Sequence, residues 1–202
     1  KDLINLFKDN YGVDYGAEIS MEIDPASFNE NDLFGFIDAG INRFSLGAQS
    51  FNNQLLKEAG RRHLCDDVEK ACLWLKKTKD NGFIKSWSLD LIQSLPKSNL
   101  KKWKNDLEKS LYFSPPHLSI YDLNIEEGTV FKRLLEQGKL SLPNDDESFQ
   151  NSELTNSILN NSGYSRYEIS NYALPGHQSR HNRVYWKGTG WWSFGQGSTS
   201  SP

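Results

Sequence analysis

Residues 43–51, RFSLGAQSF, alternate apolar side chains with small polar ones and then reach an amide. Phe44, Leu46 and Ala48 fall on one face of an extended chain, and Ser45 and Gly47 fall on the other. Gln49 closes the run two residues after Gly47, where an ordinary turn residue would be expected. The pattern predicts a buried strand that ends in a hydrogen-bonding group.

Segments with strand and helix patterns alternate on both sides of this stretch. We predict strands at 18–24, 43–49, 86–92 and 117–123, with helices at about 32–40, 66–81 and 100–111 between them. This order at short intervals predicts an α/β fold with a parallel sheet, either a barrel or a doubly wound sheet. Beyond Leu123 the rhythm changes to two helices, at about 126–138 and 145–161, then YEISNY and an aromatic, glycine-rich end. We therefore divide the chain into residues 1–124 and an appended, smaller α+β region, 125–202.

Composition excludes several classes of protein. The 202 residues carry a net charge of −3 with Lys and Arg scattered, so no nucleic-acid surface is expected. No apolar run is long enough for a membrane span. Cys65 and Cys72 have no metal-ligand spacing, and Cys72 shares an apolar helix face with Val68 and Leu75, which predicts a buried thiol. We expect a cytoplasmic protein.

Polar residues recur where the predicted strands end. Glu22 comes late in EISMEID, Asp90 lies inside an apolar run, and Asn124 follows HLSIYDL. The carboxyl ends of parallel strands form the ligand-binding mouth of a β/α barrel, so these acceptors would converge with Gln49. Arg61, 12 residues past Gln49, can supply a guanidinium for a ligand carboxylate. Acceptors with one arginine suit a zwitterionic amino acid joined to a nucleoside.

A structural explanation stays open for each of these residues taken singly. Each can cap a helix or stabilise a turn, and Asp24, next to Pro25, favours that explanation most. The histidines at 63, 117 and 177 are likewise typical of satisfied core positions.

Five blocks of the sequence resemble, in order and spacing, radical S-adenosylmethionine enzymes of the oxygen-independent coproporphyrinogen III oxidase family. The blocks are EISMEIDP, GINRFSLGAQSF, GRRHL, SLDLIQSLP and PPHLSIYDLNIEEGT, and the resemblance runs from about residue 18 to 195. It implies part of a (β/α)6 barrel in which Glu22, Gln49, Arg61 and Asp90 contact S-adenosylmethionine. Arg61 would bind the methionyl carboxylate, the other three would bind the ammonium and ribose groups, and Asn124 would line the same site.

The family's C-x3-C-x2-C cluster motif and its Gly-Gly loop are absent from these residues. The resemblance places both before residue 1, so we expect a fragment that lacks the N-terminal strands of the barrel. The ligands of a [4Fe-4S] cluster would lie outside it, and the fragment alone would be inactive. No catalytic residue and no metal ligand is assigned within it.

HNRVYW, residues 181–186, resembles the H-N-x-x-Y-W signature of the heme-chaperone branch of this family. The chemistry of these side chains would allow His181 to be an axial ligand of heme iron and Tyr185 and Trp186 to stack on the porphyrin. The alternative from the residues alone is a core motif in which the same side chains pack.

Two functions follow from the resemblance. One is a carrier that binds heme as cargo and delivers it to heme-accepting proteins. The other is an oxidase that uses a 5′-deoxyadenosyl radical to decarboxylate coproporphyrinogen III in porphyrin biosynthesis. A third possibility, an ordinary α/β enzyme for a small polar substrate, lies outside the family.

Overall fold

The computed structural model describes residues 1–202. Its helices are α1 (Asp2–Tyr11), α2 (Glu30–Ala39), α3 (Asn53–Glu58), α4 (Cys65–Asp80), α5 (Leu100–Phe113), α6 (Val130–Glu136), α7 (Asp145–Asn161) and α8 (Arg180–Trp186). Its strands are β1 (Ser20–Ile23), β2 (Arg43–Gln49), β3 (Ser86–Gln93), β4 (His117–Asp122), β5 (Ser165–Arg166) and β6 (Asn171–Ala173). All six strands form one sheet in the order β1-β2-β3-β4-β6-β5.

The first four strands are parallel, and helices connect them, as the sequence predicts. β6 runs antiparallel to β4, and β5 antiparallel to β6, so the sheet is mixed. The boundary between residues 124 and 125 falls just after β4, and the region beyond it adds β5 and β6 to the same sheet. This arrangement is an α/β fold with four parallel strands of a partial barrel.

The two faces of the sheet differ in chemistry because side chains alternate along each strand. One face is apolar: Ile23, Leu46, Leu89 and Leu118 lie side by side in register and are buried. Helices α2, α4, α5 and α7 supply the rest of that core through residues such as Leu33, Val68, Leu75, Trp103, Leu107 and Leu159. Full burial of one such side chain contributes roughly 1.5–3 kcal/mol. The predicted burial of Cys72 beside Val68 and Leu75 is confirmed.

The opposite face of the same strands is polar. Glu22 pairs with Ser45, Ser45 with Ser88, and Ser88 with His117, so these four side chains form one row across the sheet. Asp90 and Ser119 form the next row toward the carboxyl ends. A sheet face lined with polar side chains is a natural place for a polar ligand.

Local capping explains most helix boundaries. The Asn29 side chain accepts hydrogen bonds from the backbone N–H groups of Asn31 and Asp32 at the start of α2, and Gly40 ends that helix at φ 109°. The helix predicted from about residue 126 begins only at Val130, because Thr129 caps it and Gly128 takes a left-handed turn conformation. None of the helices combines the length and apolarity needed to cross a membrane.

Candidate functional site

A cavity of about 310 Å³ lies at the carboxyl ends of β1, β2 and β3. Its lining includes Glu22, Gln49, Arg61 and Asp90, four of the five residues predicted for the S-adenosylmethionine site. The remaining lining residues are Ile23, Asp24, Ser45 and Gly47. The parallel strands thus bring together groups that lie as far apart in sequence as positions 22 and 90.

Two charged groups of this cavity have no partner within the protein. The Glu22 carboxylate and the Arg61 guanidinium make no hydrogen bond or ion pair, and both side chains are exposed. Groups of opposite charge that face one cavity without pairing suit a ligand that itself carries both an ammonium and a carboxylate.

Asp90 is held by hydroxyl groups on its own sheet face. Its Oδ2 accepts from the Ser45 hydroxyl at 2.7 Å, and its Oδ1 accepts from the Ser88 hydroxyl at 3.0 Å. Burial raises the pKa of Asp90 above its ordinary value, and these hydroxyl groups oppose that shift by stabilising the carboxylate. The Asp90 side chain is therefore fixed in position as a hydrogen-bond acceptor.

Gln49 occupies a strained turn at the end of β2. Its φ of 68° lies in the left-handed region, and the pairing of β2 with β3 shifts register between Gly47 and Gln49. Such strain persists only where surrounding contacts over-determine the backbone. Asp106 of α5 provides these contacts, since it accepts from the Ser50 hydroxyl at 2.6 Å and from the Phe51 backbone N–H at 2.9 Å.

Gly47 leaves room for the Gln49 amide to turn back over the strand end. A Cβ built on Gly47 would lie 3.2 Å from Gln49 Nε2 and 3.7 Å from the carbonyl oxygen of Ile23. Contacts of this kind would displace the Gln49 side chain, so the glycine preserves the shape of the cavity.

Asp24 and Asn124, two further residues near strand ends, do not both behave as cavity residues of the strand-end pattern. Asp24 accepts from the Ala26 backbone N–H at 3.2 Å, as a turn residue does, and it also lines the cavity. Asn124, two residues past β4, is exposed and is not among the residues that line this cavity.

The HNRVYW motif forms α8, whose first turn faces a second cavity of about 190 Å³. His181 and Asn182 line that cavity together with Glu22, Ser45 and Asp90, which also line the cavity at the strand ends. The His181 ring is in edge contact with the Tyr185 ring, at 5.0 Å between centroids, and Trp186 packs against Tyr167 at 5.8 Å. The motif and the strand-end acceptors are thus neighbours across the polar sheet face.

A chain of hydrogen bonds that the sequence did not predict joins the two cavities. His117 Nδ1 lies 2.8 Å from the Ser88 hydroxyl, and His117 Nε2 lies 2.7 Å from the Tyr167 hydroxyl, which accepts from the Ser179 backbone N–H just before α8. The signal in the sequence was the period-two alternation of Ser86, Ser88 and Asp90, which places these residues on one face. The serines look like ordinary strand residues until their partners are known.

The described residues do not contain a site for an iron–sulfur cluster. Cys65 and Cys72 are the free cysteines of the chain, and both are buried on α4. Burial raises the pKa of the Cys65 thiol to about 11, which disfavours the thiolate that a cluster needs. No group of three or more His, Cys, Asp and Glu residues is arranged to hold a metal ion.

Comparison with known proteins identifies the relatives of this chain. It is 42% identical over 198 residues to the heme chaperone HemW of Synechocystis, covering 98% of this chain and 47% of the relative. It is 36% identical over 171 residues to the heme chaperone HemW of Escherichia coli, covering 85% of this chain and 43% of the relative. The chain therefore spans about half the length of these curated relatives. No family model matches it.

A solved structure shares the fold. The coproporphyrinogen III oxidase HemN of Escherichia coli, described as a radical SAM enzyme, matches with a TM-score of 0.74 and 25% identity. The match covers 94% of this chain and 42% of HemN. The predicted α/β fold is confirmed by this likeness. The chain belongs to the radical S-adenosylmethionine proteins of the oxygen-independent coproporphyrinogen III oxidase-like family, in the branch whose curated members are named heme chaperone HemW.

Proposed function

We propose that this chain is part of a cytoplasmic heme chaperone, which binds heme at α8 and S-adenosylmethionine at the strand-end cavity. The observation that carries the proposal is the position of the HNRVYW motif. Its His181 is exposed at the surface and lines the 190 Å³ cavity. That cavity shares Glu22, Ser45 and Asp90 with the strand-end cavity. Relatives that share 36–42% identity bear the name heme chaperone, which supports the same function.

His181 is suited to bind iron reversibly. Neither nitrogen of its ring has a hydrogen-bond partner in the protein, so a lone pair is available to a metal. Resident metal-ligating histidines almost always donate their second ring N–H to a fixed acceptor. The lack of such a partner at His181 fits a cargo that must be released to a heme-accepting protein.

The strand-end residues fit S-adenosylmethionine by charge and position. Arg61 would bind the methionyl carboxylate, while Glu22, Gln49 and Asp90 would accept from the ammonium and ribose hydroxyl groups. When bound, S-adenosylmethionine supplies the radical chemistry that gives this protein class its name.

We expect His181→Ala to weaken heme binding about tenfold or more and to change the Soret band, because an axial ligand is lost. Titration of heme into the whole protein, followed by absorbance, measures both effects. His177→Ala is the matched control, since that imidazole is committed to the Ser86 hydroxyl at 3.0 Å. An unchanged Soret band in His181→Ala would assign HNRVYW a structural role instead.

We expect Gln49→Ala to weaken S-adenosylmethionine binding by about tenfold while the fold stays intact, because about one hydrogen bond to the ligand is lost. Equilibrium dialysis with the whole protein measures the dissociation constant, and a thermal melt checks the fold. Gln54→Ala removes an exposed amide on α3 and should leave binding unchanged. Equal dissociation constants for wild type and Gln49→Ala would remove Gln49 from the site.

The likeness to HemN supports oxidative decarboxylation of coproporphyrinogen III as a second candidate. The two candidates share the strand-end cavity, and they differ in what α8 does. An oxidase needs α8 only for packing, whereas a chaperone needs His181 at the iron.

A further inference from the structure

Arg43 is a buried guanidinium with an unused donor. Its side chain is 6% exposed, it begins β2, and it lines the 190 Å³ cavity beside α8. Its Nη2 is buried and has no hydrogen-bond partner. An unsatisfied buried donor is unfavourable, and a charged one more so, which makes this atom an exception that requires an explanation.

The partners of Arg43 within the protein compensate its positive charge only in part. Its Nη1 donates to the His177 carbonyl oxygen at 3.2 Å and lies 3.6 Å from Glu18 Oε2. That separation exceeds the roughly 2.7–2.9 Å of a charge-assisted hydrogen bond. Burial lowers the pKa of Arg43, and Glu18 opposes this shift. A guanidinium stays protonated even when buried, and the unpaired Nη2 leaves it the geometry to bind an anionic partner.

Glu18 also links Arg43 to the heme motif. Its Oε1 accepts from the backbone N–H groups of Arg180 at 2.9 Å and His181 at 3.1 Å. A single carboxylate thus stands between the guanidinium and the start of α8. A ligand held at His181 is within reach of the cavity that contains the unused donor.

We propose that Arg43 and the cavity beside α8 form a subsite for one carboxylate arm of the ligand bound at His181. The inference rests on the proposed function, and for heme the arm is a propionate. Drug-sized ligands fill about 300–1,000 Å³, so a cavity of 190 Å³ admits a short acidic arm but excludes the macrocycle. The planar fork of an arginine matches a carboxylate better than it matches water.

Glu22 and Asp90 are the acidic residues that line this cavity, and neither pairs with Arg43. Both oxygens of Asp90 accept from serine hydroxyl groups, and Glu22 makes no ion pair. Glu18, outside the lining, is shared with two backbone N–H groups of α8. Arg43 Nη2 is therefore left for a group that enters from outside.

The test compares heme with heme dimethyl ester, whose carboxylates are capped and carry no charge. In the wild-type whole protein, we expect heme to bind at least about tenfold more tightly than the ester, as loss of a charged hydrogen bond implies. Arg43→Gln should weaken heme binding to the level of the ester and leave ester binding unchanged. Arg183→Gln removes an exposed charge from α8 and should preserve the discrimination.

Equal affinities of the wild type for heme and its ester would overturn the proposal, and this measurement needs no variant to fold. The proposal would also be overturned if the Arg43→Gln variant still bound heme more tightly than the ester by the same factor as wild type. If the wild type binds neither compound, the proposed function fails, and the subsite is then tested with propionate alone. Propionate, but not propionamide, should shift the Arg43 side-chain NMR resonance, and identical responses to the two would reject the subsite.

Discussion

Acidification from about pH 6.5 toward about pH 3 should lower the free energy of unfolding by about 5 kcal/mol through His117 alone, at roughly 1.4 kcal/mol per pH unit. Burial lowers the pKa of His117 from 6.5 to about 3. The folded protein therefore holds the imidazole neutral, whereas the unfolded chain protonates it below pH 6.5. The stability from this residue is complete above pH 6.5 and is lost as the pH falls toward 3.

The hydrogen bonds around His117 explain why it resists protonation. The Ser88 hydroxyl donates to Asp90, so it accepts from His117 Nδ1–H, and His117 Nε2 accepts from the Tyr167 hydroxyl. A second proton would occupy the nitrogen that Tyr167 now uses. The positive charges of Arg43 and of protonated His177 also disfavour it.

Denaturant unfolding of wild type and His117→Gln at several pH values isolates this contribution. Burial raises the pKa of Asp90, and that of Asp106 to about 6, so these carboxyl groups contribute a slope of opposite sign. Both carboxyl groups are present in wild type and in His117→Gln, so their contributions cancel in the difference between the two free energies of unfolding. A difference that does not change between pH 7 and pH 4 would contradict the neutral, buried imidazole.

Asp106→Ala should lower the free energy of unfolding by about 3 kcal/mol, because two buried donors each lose a partner at about 1–3 kcal/mol per group. These donors are the Ser50 hydroxyl and the Phe51 backbone N–H. The same change should weaken S-adenosylmethionine binding, although Asp106 does not line the cavity. The reason is that Asp106 fixes the turn that holds Gln49 at positive φ.

Urea unfolding and equilibrium dialysis of the same variant check the two effects together. Asp106→Asn keeps one acceptor, so both effects should be intermediate. A variant as stable as wild type would show that water replaces the lost acceptor. An unstable variant that still binds S-adenosylmethionine normally would show that the Gln49 turn holds without Asp106.

Local patterns were sufficient to predict most of the elements. β2 has the bounds that its alternation predicts, and α4 and α5 lie within two residues of theirs, since each has a full apolar stripe. α3 and α8, helices of six and seven residues, were not predicted. β6 has three residues and is placed by its pairing with β4 rather than by its own sequence.

The residues of the candidate site also fall into those that the sequence predicts and those that it does not. Glu22, Gln49 and Asp90 could be predicted to share a cavity because each is a polar group near the end of an apolar strand. Asp106 was missed because it is one carboxylate in a charged helix, 55 residues from the turn it holds. Arg43 was missed because its partners come from both ends of the chain, Glu18 before β1 and His177 before α8.

The distinction between a heme carrier and an oxidase is tested most directly by turnover. The whole protein would be reconstituted with its cluster without oxygen, then given S-adenosylmethionine, an electron donor and coproporphyrinogen III. Product would be measured by mass, and heme binding by the same preparation would be measured in parallel. We predict bound heme and no protoporphyrinogen. Steady formation of protoporphyrinogen would contradict the account and make the protein an oxidase.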